Sequence, residues 1–154
     1  MKVSILVGSK SDLEFAEKAR ARLASFEVPV EVHVASAHRT PERVDALVRD
    51  PEVDVFIAIA GLSAALPGTV AARTLKPVIG LPLNRGLGLD SLLSIAQMPP
   101  GVPVATVGLD NAENAALLAV HILALSNPAL EERLKRYRAQ WREEPSAATP
   151  SGSG

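Results

Sequence analysis

Apolar runs rich in β-branched residues alternate with amphipathic stretches along most of the chain. Five runs read as strands: VSILVG from Val3, VPVEVHV from Val28, VDVFIAIAG from Val53, KPVIGLP from Lys76 and GVPVATVG from Gly101. The third is apolar almost throughout, as expected of a strand covered on both faces. Between the runs lie helix patterns. SDLEFAEKARARLASF starts with Ser11 and carries Glu14 three residues later, a capping-box signature, with Phe15, Ala19, Leu23 and Phe26 along one face. TPERVDALVRD offers Thr40 as N-cap and Pro41 at the first helical position. AALPGTVAART, GLDSLLSIAQM and NAENAALLAVHILAL fit further helices.

Strand alternating with helix predicts right-handed crossovers, a parallel sheet and helices on both faces. The expected fold is therefore α/β, a flavodoxin-like doubly wound parallel five-stranded sheet in a three-layer αβα sandwich. Ligands in such sheets bind beyond the carboxyl ends of the strands, at the topological switch point. That rule brings GSKSD, SAHRTP and AGLSAALPG to one edge, because each directly follows a strand.

After Asn127-Pro128 a charged helix, PALEERLKRYRAQWREE, projects past the sheet, with Tyr137 and Trp141 four residues apart and Leu134 nearby. This stripe and the alanine-rich helices are expected to pack on a partner subunit. The predicted organisation is one catalytic domain over residues 1–143 and a disordered, low-complexity tail, PSAATPSGSG, within residues 144–154.

Composition narrows the function classes. The chain has 154 residues, 47% hydrophobic and 21% charged, the balance of one ordinary globular domain. A formal net charge of -1 gives no electrostatic footprint for nucleic acid or an anionic membrane. The absence of cysteine removes disulfides, thiol nucleophiles and thiolate metal sites, and fits a reducing compartment. The apolar run near Met1 stops at Gly8, too short for a signal or membrane segment, so a cytoplasmic location is expected. No metal-ligand cluster or Ser-His-Asp arrangement stands out, and no metal is expected.

The loops at the predicted ligand edge carry the candidate chemistry. In GSKSD, Ser9, Ser11 and the helix N-terminal amides can face an anion such as phosphate. The same residues also suit a simple helix cap, with Asp12 complementing the helix dipole. Of three histidines, His33 falls in a strand pattern and His121 in a helix pattern, whereas His38 stands in a loop at the ligand edge. An imidazole exchanges protons near neutral pH, and the guanidinium of Arg39 beside it matches phosphate oxygens. AGLSAALPG packs helix on sheet closely, or lets its backbone amides approach a flat ligand. The segment NRGLGLDSLLSIAQMPPGVP reads as a flap over the same edge.

Taken together, VGSKSD, SAHRTPE, LPG, PVIGLP, GLDSLLSIAQMPPGVPVATVG and NAALLA stand in the order found in the 5-(carboxyamino)imidazole ribonucleotide mutase family of purine biosynthesis. The resemblance covers roughly Lys2 to Leu125. It implies a flavodoxin-like fold, a homo-octamer with active sites at subunit interfaces, and a small-molecule ribonucleotide substrate. It implies neither metal nor organic cofactor.

In that reaction the carboxylate moves from the exocyclic nitrogen to ring carbon 4. By resemblance, His38 is the general acid and base. Ser9 and Arg39 hold the 5′-phosphate, and Asp12 holds the ribose hydroxyls. Ser11, Ser36, Ala60, Gly61, Ser63 and Leu66 line the pocket. Two departures stand out. Mutase-branch members usually read Ala-His-Leu-Pro-Gly where this chain reads Ala64-Ala65-Leu66-Pro67-Gly68, and NRGLGLDS is a residue or two short. Ser63 also resembles the family's other branch, which carboxylates aminoimidazole ribonucleotide directly with carbon dioxide. That carboxylase, and a non-catalytic nucleotide-binding module, are the alternative readings.

Overall fold

The computed structural model describes residues 1–143, and the tail expected at 144–154 lies outside them. Five strands form one parallel sheet: β1 (Val3–Val7), β2 (Val30–Val34), β3 (Val55–Gly61), β4 (Val78–Leu83) and β5 (Ala105–Thr106). Their order is β2-β1-β3-β4-β5, the flavodoxin-like arrangement the alternation predicts. Six helices connect and follow them: α1 (Leu13–Ser25), α2 (Pro41–Val48), α3 (Ala65–Ala71), α4 (Leu89–Ala96), α5 (Ala112–Ala124) and α6 (Pro128–Glu143).

Side-chain alternation divides the strands between two cores. Ile5, Ile57, Ile59 and Leu81 pack under α1 and α5, while Leu6, Phe56 and Ala58 pack under α2, α3 and α4. The chain thus forms the predicted three layers. Ala16 and Ala19 of α1 are buried in the same core as Ala112, Ala115, Ala116 and Ala119 of α5. These six alanines pack within the chain's own core, while Ala21 and Ala24 of α1 stay exposed.

The aromatic stripe divides in the same way. Leu134 is buried, and Tyr137 packs edge-on against Phe26 at 5.4 Å between ring centroids. Arg133 donates to the Phe26 carbonyl at 2.6 Å and pins the first half of α6. Trp141, at the far end, stays 58% exposed and closes an apolar groove with Leu117, Leu118 and Tyr137.

Several local expectations change. Ser11 does not cap α1: residues Lys10–Asp12 form a 3-10 turn, and Asp12 takes the N-cap position without a side-chain cap bond. Thr40 and Pro41 occupy the expected start of α2, but the Thr40 hydroxyl turns back to Ser36. β5 shrinks to two residues because Pro103 has no N–H to donate and Gly101 turns the chain at φ 96°. Ala16 leads the buried stripe of α1 in place of Phe15, which is half-buried.

At the opposite end of the strands, the Lys2 ammonium sits between Asp50 and Glu31, 2.9 Å from each. Its hydrogen bonds to Asp50 and then Glu31 hold Lys2 above the usual lysine range and both carboxyls below theirs. Among the described residues, no helix is long and apolar enough to cross a membrane.

Gly80 lies where β4 meets α4, and an added Cβ would come within 2.3 Å of Ile95 Cγ2 and 3.0 Å of Val104 Cγ1. Gly80→Ala therefore overpacks the core and should cost about 1–3 kcal/mol. A lowered urea midpoint at unchanged m-value is the expected result, and an unchanged midpoint would contradict this packing.

Candidate active site

Strand register sets the floor of the site. Val7 pairs with Val34 and with Ile59, and Gly61 pairs with Leu83, so the carboxyl ends of β1 to β4 meet at one edge. The loops leaving those ends enclose a cavity of about 540 Å³, within the range of small-ligand pockets. Ser9, Ser11, Asp12, Ser36, His38, Arg39, Ala60, Gly61, Ser63 and Leu66 all line it. Every candidate site residue of the sequence reading falls here, drawn from the loops after β1, β2 and β3, the end of β3 and the first turn of α3. His33 and His121 lie elsewhere, bonded to Glu31 at 3.3 Å and to the Leu117 carbonyl at 2.8 Å respectively.

The β1 loop presents hydroxyls. Ser9 Oγ accepts weakly from Ser11 N at 3.4 Å, and the Asp12 amide donates to the Ser9 carbonyl at 3.1 Å. Two of the amides expected to face an anion are thus turned inward. Ser11 Oγ lies 3.0 Å from Ser9 Oγ and donates to Asp12 Oδ1 at 3.2 Å. The Asp12 carboxylate is oriented although the residue is only 8% exposed.

The β2 loop is a clasp. Ser36 N donates to Thr40 Oγ1 at 2.9 Å, and Thr40 N returns to the Ser36 carbonyl at 2.9 Å. Arg39 reaches from this clasp to the Gly8 carbonyl at 2.8 Å, which ties the β2 loop to the β1 loop. His38 sits at the exposed tip, facing the cavity, with no side-chain hydrogen bond to the protein among the described residues. Its ring nitrogens are available to a ligand.

The β3 loop supplies a wall of small residues. Leu62 adopts φ 54°, an unusual conformation for a branched side chain, and points 60% exposed. That turn lets the chain pass from β3 into α3 and leaves Ser63 at the surface of the cavity. Ala65 contributes only a methyl group.

Arg85, in the β4 loop, is the residue the sequence reading missed. Its Nη2 donates to the Ser11 carbonyl and to Asp12 Oδ1, each at 3.2 Å. The side chain crosses Gly61 so closely that a Cβ there would meet Arg85 Cγ at 2.7 Å. Its guanidinium carbon also lies 5.6 Å from the centre of the Phe15 ring. The available signal was position: Arg85 follows β4 at the same ligand edge as the other loops. Of the segment read as a flap, Arg85 is the residue that lines the cavity. The segment is held by Arg85, by Asn84 N donating to Asp110 Oδ1 at 2.9 Å, and by Ser91 Oγ at 2.8 Å from the Leu83 carbonyl.

The fold and this cavity define a doubly wound α/β protein with a polar, arginine-flanked ligand site at the switch point. A family model described as AIR carboxylase matches residues 2–144. The N5-carboxyaminoimidazole ribonucleotide mutase of Methanocaldococcus jannaschii is 56% identical over 142 residues, covering 92% of this chain and 90% of that protein. The protein of the same name from Mycobacterium tuberculosis is 50% identical over 142 residues, covering 89% of this chain and 82% of its own. The crystal structure of a singly substituted Treponema denticola PurE2 superposes with a TM-score of 0.83 at 31% identity, covering 90% of this chain and 89% of that one. Treponema denticola PurE gives 0.80 at 32% identity and covers 90% of each chain. The chain belongs to the AIR carboxylase family.

Proposed function

We infer that this chain is an isomerase of purine biosynthesis, moving the carboxylate of 5-(carboxyamino)imidazole ribonucleotide from the exocyclic nitrogen to ring carbon 4. The observation that carries this reading is the placement of His38, free of protein hydrogen bonds among the described residues, on one cavity with Arg39, Asp12 and the serine hydroxyls. Relatives that are 50–56% identical over most of the chain are named for that reaction.

The roles follow from the chemistry each group can do. Arg39, with Ser9 and the surrounding hydroxyls, takes the 5′-phosphate. Asp12 accepts from the ribose diol. Ser11 and Ser36, with Ala60 and Gly61 at the end of β3, Ser63 in the loop after it and Leu66 in α3, shape the wall on which the imidazole rests. Protonated His38 donates to the exocyclic nitrogen as its bond to the carboxyl carbon breaks and releases carbon dioxide. Ring carbon 4 then attacks that carbon dioxide, and neutral His38 removes the proton from carbon 4. The histidine ends as it began, and the reaction consumes no net proton. A confined cavity is essential, because carbon dioxide must be recaptured before it escapes.

One feature favours a second reading. Ser63 and Ala65 lie in the loop beside the reacting group, and Ser63 resembles the branch that carboxylates aminoimidazole ribonucleotide directly. The mutase reading is preferred because Arg39 and the long run from Gly88 to Gly108 resemble the mutase branch over many more positions. Intact His38 argues against a purely binding module. The lack of cysteine supports a reducing compartment, and we place the enzyme in the cytoplasm.

A homo-octamer with active sites at subunit boundaries belongs to the same proposal. Exposed Trp141 and the groove beside it, together with exposed Leu62 at the site and exposed Leu87 and Leu89 after β4, supply apolar surface for such contacts. Light scattering should give an octamer at micromolar concentration, and a stable monomer would contradict this assembly.

His38→Asn keeps a polar side chain of similar reach but cannot shuttle the proton. Turnover of the carboxyamino nucleotide should fall by ~100-fold or more, while calorimetry shows nucleotide affinity largely retained. Near wild-type turnover would remove His38 from its role.

A further inference from the structure

Two arginines line the cavity, and the proposed reaction has so far used one. Arg39 leaves β2 and Arg85 leaves β4, strands that stand three places apart in the sheet, roughly 14 Å at the usual strand spacing. Their side chains reach inward to opposite sides of the β1 loop, Arg39 to the Gly8 carbonyl and Arg85 to the Ser11 carbonyl. The cavity therefore has a cation on each flank, with Asp12 its single lining carboxylate among the described residues.

We propose that Arg85 is a substrate-binding residue that takes the migrating carboxylate. The proposal rests on the mutase reading and deepens it. Three observations carry it. First, Arg85 is built into the site and does not simply dangle over it. Asp12 and the Ser11 carbonyl fix one terminal nitrogen, and the aliphatic stem lies on Gly61. Second, those contacts use Nη2 alone, as does a looser approach to Glu14 Oε1 at 3.9 Å. Among the described residues no acceptor engages Nε or Nη1, and the side chain remains 39% exposed, so three N–H donors are left for a ligand.

Third, the substrate has two anionic groups at different ends. The phosphate is served by Arg39 and the serine hydroxyls. The ring lies along the β3 loop and the start of α3, where the side chains offer one hydroxyl, Ser63, and only a methyl at Ala65. Arg85 crosses Gly61 at the edge of that wall, so a carboxylate on the ring finds its guanidinium as the neighbouring cation. A forked donor held in place suits a planar carboxylate and keeps it oriented between nitrogen and carbon.

The test compares two ligands that differ by the carboxylate alone. Aminoimidazole ribonucleotide and 4-carboxy-5-aminoimidazole ribonucleotide are titrated calorimetrically into the wild-type protein, Arg85→Met and Arg85→Lys. Arg85→Met should lose about tenfold or more in affinity for the carboxylated nucleotide and change little towards the other. Arg85→Lys keeps the charge without the fork and should fall between. Should the methionine variant fail to fold, the lysine variant carries the comparison, with a selective loss of several-fold expected. An equal loss for both ligands would show that Arg85 acts only through Asp12, and no loss for either would show that it contacts nothing. Either result overturns the proposal while leaving the mutase reading in place. Wild-type protein that binds neither nucleotide would instead remove that reading, and this inference with it.

Discussion

The pairing of β1 with its neighbours governs both the core and the site. Val3 to Val7 are buried and hydrogen-bonded to β2 on one side and β3 on the other. Because successive side chains face opposite layers, a one-residue slip would exchange the contents of the two cores. Fully buried residues such as Phe56 and Ile57 each gain about 1.5–3 kcal/mol by leaving water, so that slip is strongly disfavoured. The same register sets Gly8 beside Ala35 and Ala60, and Leu62 beside Asn84, at the strand ends. The loops carrying the chemistry converge because hydrophobic burial leaves the strands no other alignment.

Polar contacts then fix the loops on this base. The Ser36–Thr40 clasp aims His38 and Arg39, and Arg39 bridges to Gly8. Arg85 bridges from the far side to Ser11 and Asp12. The serine and aspartate segment is held between two guanidinium groups. Small residues make this possible, since Gly61 leaves the space that the Arg85 stem occupies.

Much of this was legible in the chain because the information is local. Apolar runs such as VFIAIAG mark strands, Pro41 marks a helix start, and a loop after a parallel strand marks the ligand edge. What escaped the sequence depends on distant partners. Ser11 and Glu14 have capping-box spacing, yet Ser11 turns to Ser9 and Asp12, and Asp12 answers Arg85 from 73 residues away. Tyr137 was expected against a partner subunit, but Phe26 and Arg22 of the same chain close around it. β5 looked as long as its neighbours, but a proline and a left-handed glycine shortened it. None of these contacts leaves a periodic trace.

In the mechanism given above, carboxylate moves within one substrate instead of arriving from solution. The most direct measurement supplies the purified protein with each nucleotide separately in a medium of isotopically labelled bicarbonate. Rapid conversion of the carboxyamino compound to a product free of label is predicted, with aminoimidazole ribonucleotide a poor substrate. Rapid, fully labelled product from aminoimidazole ribonucleotide at low carbon dioxide, with the carboxyamino compound untouched, would contradict it.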